Sequence, residues 1–263
     1  MTRTFAPWLA FGLVIVLASI PALVPANQAA AGELTVQSGP ARTHLLELYT
    51  SEGCSSCPPA ERWFSTLRQS PRLWKEIVPV AFHVDYWDRL GWKDRFASAA
   101  NTARQRSYAV AWRSDTVYTP GFVLDGREWQ GRNVQDVTSE GGLAGTLTAV
   151  LRDDGEVLVR FRPVGNGKGP WQAHVALLGF GLKSDVNAGE NSGRTLLHDF
   201  VVLTHAATTM IGGQDNEFRA TFGLLRHPTA GSTPSAFAVW ANEAGRLEPV
   251  QAAGGELPKN ASR

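Results

Sequence analysis

The 263-residue chain contains only two cysteines, and they form a Cys-Ser-Ser-Cys motif at residues 54–57. The motif stands between an apolar run at residues 43–49, typical of a buried strand, and a helix-forming stretch at residues 60–67. No other cysteine offers a long-range disulfide, so the hydrophobic core must hold the fold together. A bridge between Cys54 and Cys57 would close too small a loop to constrain the unfolded chain strongly. The pair therefore indicates a reactive dithiol more than a disulfide that stabilises the fold.

The position of the motif predicts how the two thiols share that chemistry. A helix N-terminus presents unpaired N–H groups and partial positive charge, which stabilise a thiolate at Cys54. We predict that Cys54 attacks and that Cys57, held within reach by the helix, resolves the mixed disulfide. Two alternatives stay open: metal binding, which normally uses a second ligand pair, and a passive local disulfide.

The first 31 residues predict an exported protein. Arg3 gives a positive start, residues 5–24 are apolar without a charge, and the alanines at residues 29–31 offer a cleavage site. We predict a signal peptide over residues 1–31, cleaved near Ala31, and a secreted or periplasmic protein without stable membrane insertion. A retained anchor is the alternative, because about 20 apolar residues can span a bilayer.

The composition argues against two classes of partner. Hydrophobic residues make up 43% of the chain and charged residues 19%, which indicates a globular protein with a substantial core. The formal net charge is +1 at pH 7, and no long basic or acidic run occurs. We therefore expect neither nucleic acid nor an anionic membrane surface as a partner.

The pattern of apolar residues changes near Arg152. Before it, helix-forming stretches separate three strand-like runs, at residues 43–49, 77–84 and 117–124. After it, short strand-like runs follow one another with turns between them. We predict an α/β domain at residues 40–152, ending in a helix within residues 133–152, and an all-β domain at residues 153–255.

A proline inside a predicted strand is the second unusual feature. Pro120, in the segment Tyr-Thr-Pro-Gly at residues 118–121, cannot donate a hydrogen bond to a sheet. A cis bond between Thr119 and Pro120 would leave nearby backbone free to pair with an extended substrate. An ordinary trans proline at the start of a strand is the alternative.

The order strand, CxxC, helix, strand, helix and Thr-Pro strand resembles the thioredoxin fold. More narrowly, the chain is similar to a family of secreted bacterial proteins classified as thioredoxin-like and described as a domain of unknown function. Four blocks carry this similarity, at residues 46–60, 82–92, 118–127 and 189–194. The resemblance implies that Pro120 is cis and lies against the dithiol, and that Thr119 contacts substrate through its backbone. The fold class is then an α/β thioredoxin-like fold followed by an all-β antiparallel sheet or sandwich domain.

Glu47 is the candidate for proton handling. Thioredoxins keep a buried carboxylate beneath the dithiol as a proton acceptor, and Glu47 lies on the strand that leads to Cys54. A glutamate buried in that strand would have a raised pKa. An edge position from which the carboxylate reaches water is the alternative.

Polar and aromatic residues follow the second predicted strand. In this fold His83, Asp85 and Trp87 would lie on the dithiol side, and we predict that they bind substrate. A rigid loop with packed rings and capping aspartates is the alternative. His83 could also join both cysteines in binding a soft ion such as copper.

The second half offers a polar loop and scattered histidines. Glu190, Asn191 and Arg194 lie among glycines, a pattern typical of a functional loop or of a simple turn. Four histidines lack the spacing of metal ligands, and we expect ordinary strand or loop roles for them. They are His174, His198, His205 and His227.

These features predict an exported thiol–disulfide oxidoreductase with Cys54, Cys57 and Pro120 as catalytic residues. It would need neither a cofactor nor a bound metal. Its partners would be thiols or disulfides of proteins or small molecules, and the all-β domain would recognise a partner or form a homodimer. The alternative is a non-catalytic binding protein, either a copper metallochaperone or an adaptor with an inert disulfide.

Overall fold

An eight-stranded sheet runs through the centre of the fold. The computed structural model describes residues 1–2, 33–131, 136–137, 142–165, 167, 169–223, 225 and 232–258, so residues 3–31 of the predicted signal peptide lie outside the described residues. In chain order the elements are β1 (Leu34–Gln37), β2 (His44–Thr50), α1 (Cys57–Thr66), β3 (Ile77–His83), α2 (Ala99–Trp112), β4 (Gly121–Leu124), β5 (Arg127–Glu128), β6 (Gly145–Leu151), β7 (Val157–Pro163), β8 (Trp171–Gly179), β9 (Leu182–Val186), β10 (Arg194–His198), β11 (Val201–Thr209), β12 (Ile211–Gly212), β13 (Phe218–Phe222), β14 (Ala236–Glu243) and β15 (Pro249–Glu256).

The large sheet combines strands from both sides of Arg152. Its order is β15-β14-β8-β11-β3-β2-β4-β5. β3 pairs in parallel with β2 on one side and with β11 on the other, whereas the other neighbours are antiparallel. The edge strand β15 also contacts β2 and β3, so the sheet curls over one of its own faces. Ala31–Arg263 form one compact unit.

Three larger hydrophobic cores and one small cluster lie around this sheet in the described residues. A five-stranded sheet, β1-β6-β7-β13-β12, contributes Phe161 to a core that it shares with Phe237 of β14. The curled face of the large sheet encloses a second core, which contains Phe82 and Trp240. α1 contributes Phe64 to the third core. The dithiol lies at the start of α1, and therefore beside this third core.

β2 is buried along both faces and delivers the chain to the dithiol. All seven residues of His44–Thr50 are buried. Leu46 and Leu48 pack in the core that includes α1, whereas Leu45 and Tyr49 pack in the core enclosed by the curled sheet. Because successive strand residues point to opposite faces, β2 reads as a continuous apolar run instead of an alternating one.

The predicted α/β thioredoxin-like fold followed by an all-β domain is wrong. Within the described ranges the chain forms fifteen strands and only two α-helices, in several sheets. Four strands of the first half, β2 to β5, are one edge of a sheet that strands of the second half complete. Local patterns indicated the strands at residues 43–49 and 77–84 correctly, but they carried no information on which distant strand would pair with which.

The helix predicted within residues 133–152 is also wrong where the structure describes it. Gly145–Leu151 forms β6, which pairs with β1 and β7. Its sequence alternates buried and partly exposed positions and contains β-branched Thr146, Thr148 and Val150, which suit a strand. Residues 132–135 and 138–141 lie outside the described part.

β9 and β10 form a separate two-stranded antiparallel sheet. The loop that connects them carries Glu190 and Asn191, and it reaches the dithiol. None of the helices in the described ranges has the length and apolar character needed to cross a membrane.

Candidate functional site

The two cysteines lie where β2 leads into α1. Both are free thiols and both are buried, with Cys54 1% and Cys57 0% exposed. α1 begins at Cys57, and Pro58 and Pro59 occupy its first turn, where a missing N–H group costs little. Cys54 therefore lies just before the helix N-terminus, and Cys57 lies in its first turn.

The environment separates the two thiols in acidity. A hydrogen bond from Cys57 is the largest cause that lowers the pKa of Cys54, to about 6, with burial opposing it. Ser56 and Thr119 add hydrogen bonds that lower the pKa of Cys54 further. Burial raises the pKa of Cys57 far above its ordinary value, and the proximity of Cys54 raises it further. One thiolate is therefore favoured at neutral pH, and it lies on Cys54.

The Thr119–Pro120 segment borders the dithiol. The Thr119–Pro120 peptide bond is cis. The Thr119 carbonyl oxygen accepts hydrogen bonds from Cys54 Sγ at 3.7 Å and from Ser56 Oγ at 3.5 Å. Trp87 Nε1 donates to Thr119 Oγ1 at 2.8 Å. The structure thus brings Cys54, Cys57, Thr119, Pro120 and Trp87 together.

The loop between β9 and β10 fixes the dithiol loop from the other half of the chain. Asn191 is fully buried, and its Nδ2 donates to the carbonyl oxygens of Glu52 and Cys54, both at 2.9 Å. Arg194 Nη1 donates to Asn191 Oδ1 at 2.7 Å. Glu190 accepts from the backbone N–H and the hydroxyl of Ser55, at 3.0 and 2.7 Å. Sequence reasoning named this loop without predicting its contact with the dithiol.

Replacing Asn191 with Asp should loosen the dithiol loop. The substitution keeps the shape but replaces the donor of two buried hydrogen bonds with an acceptor that faces two carbonyl oxygens, which costs about 1–3 kcal/mol or more. We expect faster hydrogen exchange at residues 52–57 and a lower free energy of unfolding. Asn216→Asp is the matched control, because Asn216 Nδ2 also donates to two carbonyl oxygens, those of Pro163 and Gly165. Unchanged exchange at residues 52–57 in Asn191→Asp would show that the loop needs no such support.

A buried polar cluster lies beneath the dithiol loop. Thr50 Oγ1 donates a short hydrogen bond to Glu61 Oε1, and Glu61 Oε2 lies 2.5 Å from His198 Nδ1. Burial opposes the charged form of His198, but Glu61 and Glu52 raise its pKa to about 10. The hydroxyl of Thr50 is also a hydrogen-bond partner of the Cys57 thiol.

The cluster continues on the side of β3. His83 Nδ1 lies 2.7 Å from Asp94 Oδ2, and the backbone N–H of Glu52 donates to the same oxygen at 2.9 Å. The rings of His83 and His198 are 5.1 Å apart. Glu52 Oε2 accepts from Trp92 Nε1 at 2.6 Å. Side chains distant in sequence thus meet directly under the CxxC loop.

Glu47 is buried, as its predicted role in proton handling required, but its side chain lies on the face of the sheet opposite the dithiol. Its carboxylate accepts bonds from Arg104 at 2.8 and 2.9 Å, and from the hydroxyls of Tyr49 and Tyr108 at 2.9 and 2.5 Å. Arg104 and Tyr108 belong to α2, whereas the dithiol lies with α1. Glu47 therefore does not reach the dithiol, and the carboxylate on the dithiol side is Glu61.

The remaining predicted site residues lie at different depths. His83 is 1% exposed and belongs to the buried cluster, so it does not form part of a rim. Asp85 is half-buried and accepts from Thr102 Oγ1 at 2.6 Å, which ties it to α2. Among the described residues, the potential metal ligands that lie closest together are Glu61, His83 and His198, and neither cysteine belongs to that group.

Sequence reasoning missed three contributors to this region. Glu61 follows Cys57 by one helical turn, a spacing that could have indicated its place beneath the dithiol. His198 and Asp94 gave no local signal, because their role depends on tertiary contacts with residues distant in sequence, such as Glu61 for His198 and Glu52 for Asp94. His198 was expected to have an ordinary position, and the structure places it in the buried cluster instead.

The fold and the site define a mainly β protein with a reduced CxxC dithiol at the start of a helix. The chain belongs to the family described as Protein of unknown function (DUF1223), which it matches over residues 45–241. The predicted membership in a domain-of-unknown-function family is thereby confirmed. No curated protein matches the chain.

Two solved structures are similar to this one. The crystal structure of protein AGR_C_4864 from Agrobacterium tumefaciens is 25% identical in sequence, and the match covers 85% of this chain and 97% of that chain with a TM-score of 0.61. HBP35 of Porphyromonas gingivalis is 11% identical, with 84% and 77% coverage and a TM-score of 0.56. The second likeness is one of fold alone.

Proposed function

We propose that this protein exchanges thiols and disulfides through Cys54 and Cys57. The observation that carries the proposal is the difference between the two free thiols, with a hydrogen-bonded, acidic Cys54 beside a buried Cys57 of raised pKa. A low pKa provides a thiolate at neutral pH, and the thiolate is the nucleophile in exchange. A purely structural cysteine pair would have no need for this difference.

The reaction proceeds in two steps. The Cys54 thiolate attacks one sulfur of a substrate disulfide, a mixed disulfide forms, and the other substrate sulfur leaves as a thiolate. Cys57 then loses its proton and attacks Cys54 Sγ, which releases the second substrate thiolate and forms the Cys54–Cys57 disulfide. The substrate gains two electrons and the dithiol loses two. The reverse sequence oxidises a substrate dithiol.

Substrate approaches over a rim of partly exposed residues. Cys54 itself is 1% exposed, so its sulfur must become accessible when a partner docks. Thr119, Pro120 and Trp87 are half-buried around it, and Ser55 is exposed. This rim suits an extended protein segment or a small thiol. Such partners occur outside the cytoplasm, and a signal peptide cleaved near Ala31 would bring the mature protein there.

Two matched substitutions test the proposal. Cys54→Ser should abolish reduction of a protein disulfide such as that of insulin. Cys57→Ser should instead accumulate a mixed disulfide, because the attacking thiol stays and the resolving thiol is gone. The chain has no other cysteine, so mass spectrometry of the trapped species assigns the bond without ambiguity. Equal turnover in the wild type and Cys54→Ser would sink the proposal.

The reduction potential against glutathione separates exchange from a passive disulfide. We expect a value between about −120 and −270 mV, the range of known oxidoreductases, because a stabilised thiolate makes the disulfide easier to reduce. A value below about −300 mV would instead mark a structural disulfide.

A further inference from the structure

The buried cluster beneath the dithiol contains a set of side chains suited to a metal ion. One ligand atom each from Glu61, His83 and His198 lies within 4.8 Å of the others, the one such group among the described residues. The three residues come from α1, β3 and β10. They are 7%, 1% and 1% exposed. We propose that Glu61, His83 and His198 bind a divalent transition-metal ion such as Zn²⁺.

Each candidate ligand is oriented by a second side chain. Asp94 holds His83 at Nδ1, which leaves Nε2 of that ring as the ligand. Thr50 holds one oxygen of Glu61. Partners of this kind fix the rotation and the tautomer of metal ligands, and they are a regular feature of protein metal sites.

A second observation points to a ligand independently of the spacing. His198 Nε2 and Glu52 Oε1 are buried and, within the part of the chain that the structure describes, make no hydrogen bond. They lie 3.3 Å apart, close enough to attract each other electrostatically without hydrogen-bond geometry. A buried polar atom without a hydrogen bond is costly. Coordination of His198 through Nδ1 would orient Nε2 as a donor to Glu52 and satisfy both atoms.

Charge and donor type favour a divalent transition metal. Glu52, Glu61 and Asp94 are three buried carboxylates, so a divalent ion bound by neutral imidazoles would leave one net negative charge in the cluster. Two imidazoles and a carboxylate suit Zn²⁺, which binds nitrogen at about 2.0–2.1 Å. The ion would replace the proton held between Glu61 and His198, and that proton would be released. A tetrahedral site spaces its ligands about 3.4 Å apart, so ligand atoms that now lie within 4.8 Å of one another need to close by about 1.4 Å at most.

The experiment uses the mature protein with Cys54→Ser and Cys57→Ser, which removes the thiols but leaves the cluster unchanged. The protein is refolded with Zn²⁺ or Co²⁺ and dialysed, because a closed site is best loaded during folding. We expect one equivalent of metal by elemental analysis, a raised melting temperature, and a Co²⁺ absorption spectrum of nitrogen and oxygen ligands. Retention of no metal after refolding would overturn the site, whatever the outcome of the exchange assays.

Histidine NMR of the same protein assigns the ligands without altering them. Binding of Zn²⁺ should shift the imidazole signals of His83 and His198 and leave those of His174 and His205 in place. The latter pair is the control, since His174 is buried, His205 is half-buried, and the rings of both stack on Trp240 in the core of the curled sheet. His83→Gln and His198→Gln should each lower the stoichiometry to below about one tenth, whereas His205→Gln should not. Metal that remains in both variants, or shifts confined to His174 and His205, would contradict the assignment.

Discussion

Replacing Cys57 with Ala should raise the pKa of Cys54 from about 6 toward the value of a free thiol. The hydrogen bond from Cys57 is the largest contribution to the low pKa, and alanine has no donor to replace it. If the pKa reached about 8.5, the thiolate fraction at pH 7 would fall from roughly 90% to roughly 3%. Hydrogen bonds from Ser56 and Thr119 remain, so the shift should be somewhat smaller. The ultraviolet absorbance of the thiolate as a function of pH measures it directly.

Cys57→Ser is the matched control for this experiment. Its hydroxyl can still donate to the Cys54 sulfur, so the pKa of Cys54 should stay well below the ordinary value. Because the pKa is depressed in the folded state, the stability it contributes is fully present above about pH 8.5 and is lost as the pH falls through about 6. Cys57→Ala should lose most of this pH dependence. If the pKa of Cys54 stayed equally low in the Ala and Ser variants, the helix N-terminus and not Cys57 would be the cause of its acidity.

Replacing Arg104 with Met should cost about 3–5 kcal/mol of folding free energy, a large part of a typical domain's stability. Arg104 forms two bonds to the Glu47 carboxylate, and Glu47 is 0% exposed. Without the guanidinium, Glu47 would be a buried charge with only hydroxyl donors around it. Chemical denaturation of the two proteins gives the difference.

Two companion variants define the cause of that loss. Arg106→Met lies on the exposed side of α2 and should change stability by no more than about 0.5 kcal/mol. Glu47→Gln with Arg104→Met should recover much of the loss, because no lone charge stays buried while Tyr49 and Tyr108 keep an acceptor. A loss that is unrelieved in the double variant would indicate packing alone.

The sequence was sufficient to single out the dithiol as the candidate site and insufficient for its surroundings. The cysteines follow β2 and Trp87 follows β3, whereas the proline segment precedes β4, which is antiparallel to β2. They lie together because these ends of the three strands, all indicated by local apolar runs, meet at one edge of the sheet. The carboxylate was assigned to Glu47, but alternation along β2 turns Glu47 away from the dithiol. Glu61 has that place because it lies one helical turn after Cys57 and contacts Thr50, and only the helical spacing could have been read from the sequence.

The prediction of the overall architecture was wrong for a related reason. β11 pairs with β3 in parallel although more than a hundred residues separate them along the chain. No turn or short loop announces such a pairing, and β11 looks like any other buried strand in sequence. The predicted self-contained first half depended on the assumption that neighbours in sequence would also be neighbours in the sheet.

The two hydrogen bonds from Asn191 to the carbonyl groups of Glu52 and Cys54 have a consequence for the order of events during synthesis. The segment with the cysteines leaves the ribosome, and crosses any membrane, well before the segment that immobilises it. Until residue 191 and the strands around it have arrived, the thiols belong to an unfinished chain and lack the environment that distinguishes one from the other. The difference in acidity between Cys54 and Cys57 thus arises only after the whole chain has been synthesised and has folded.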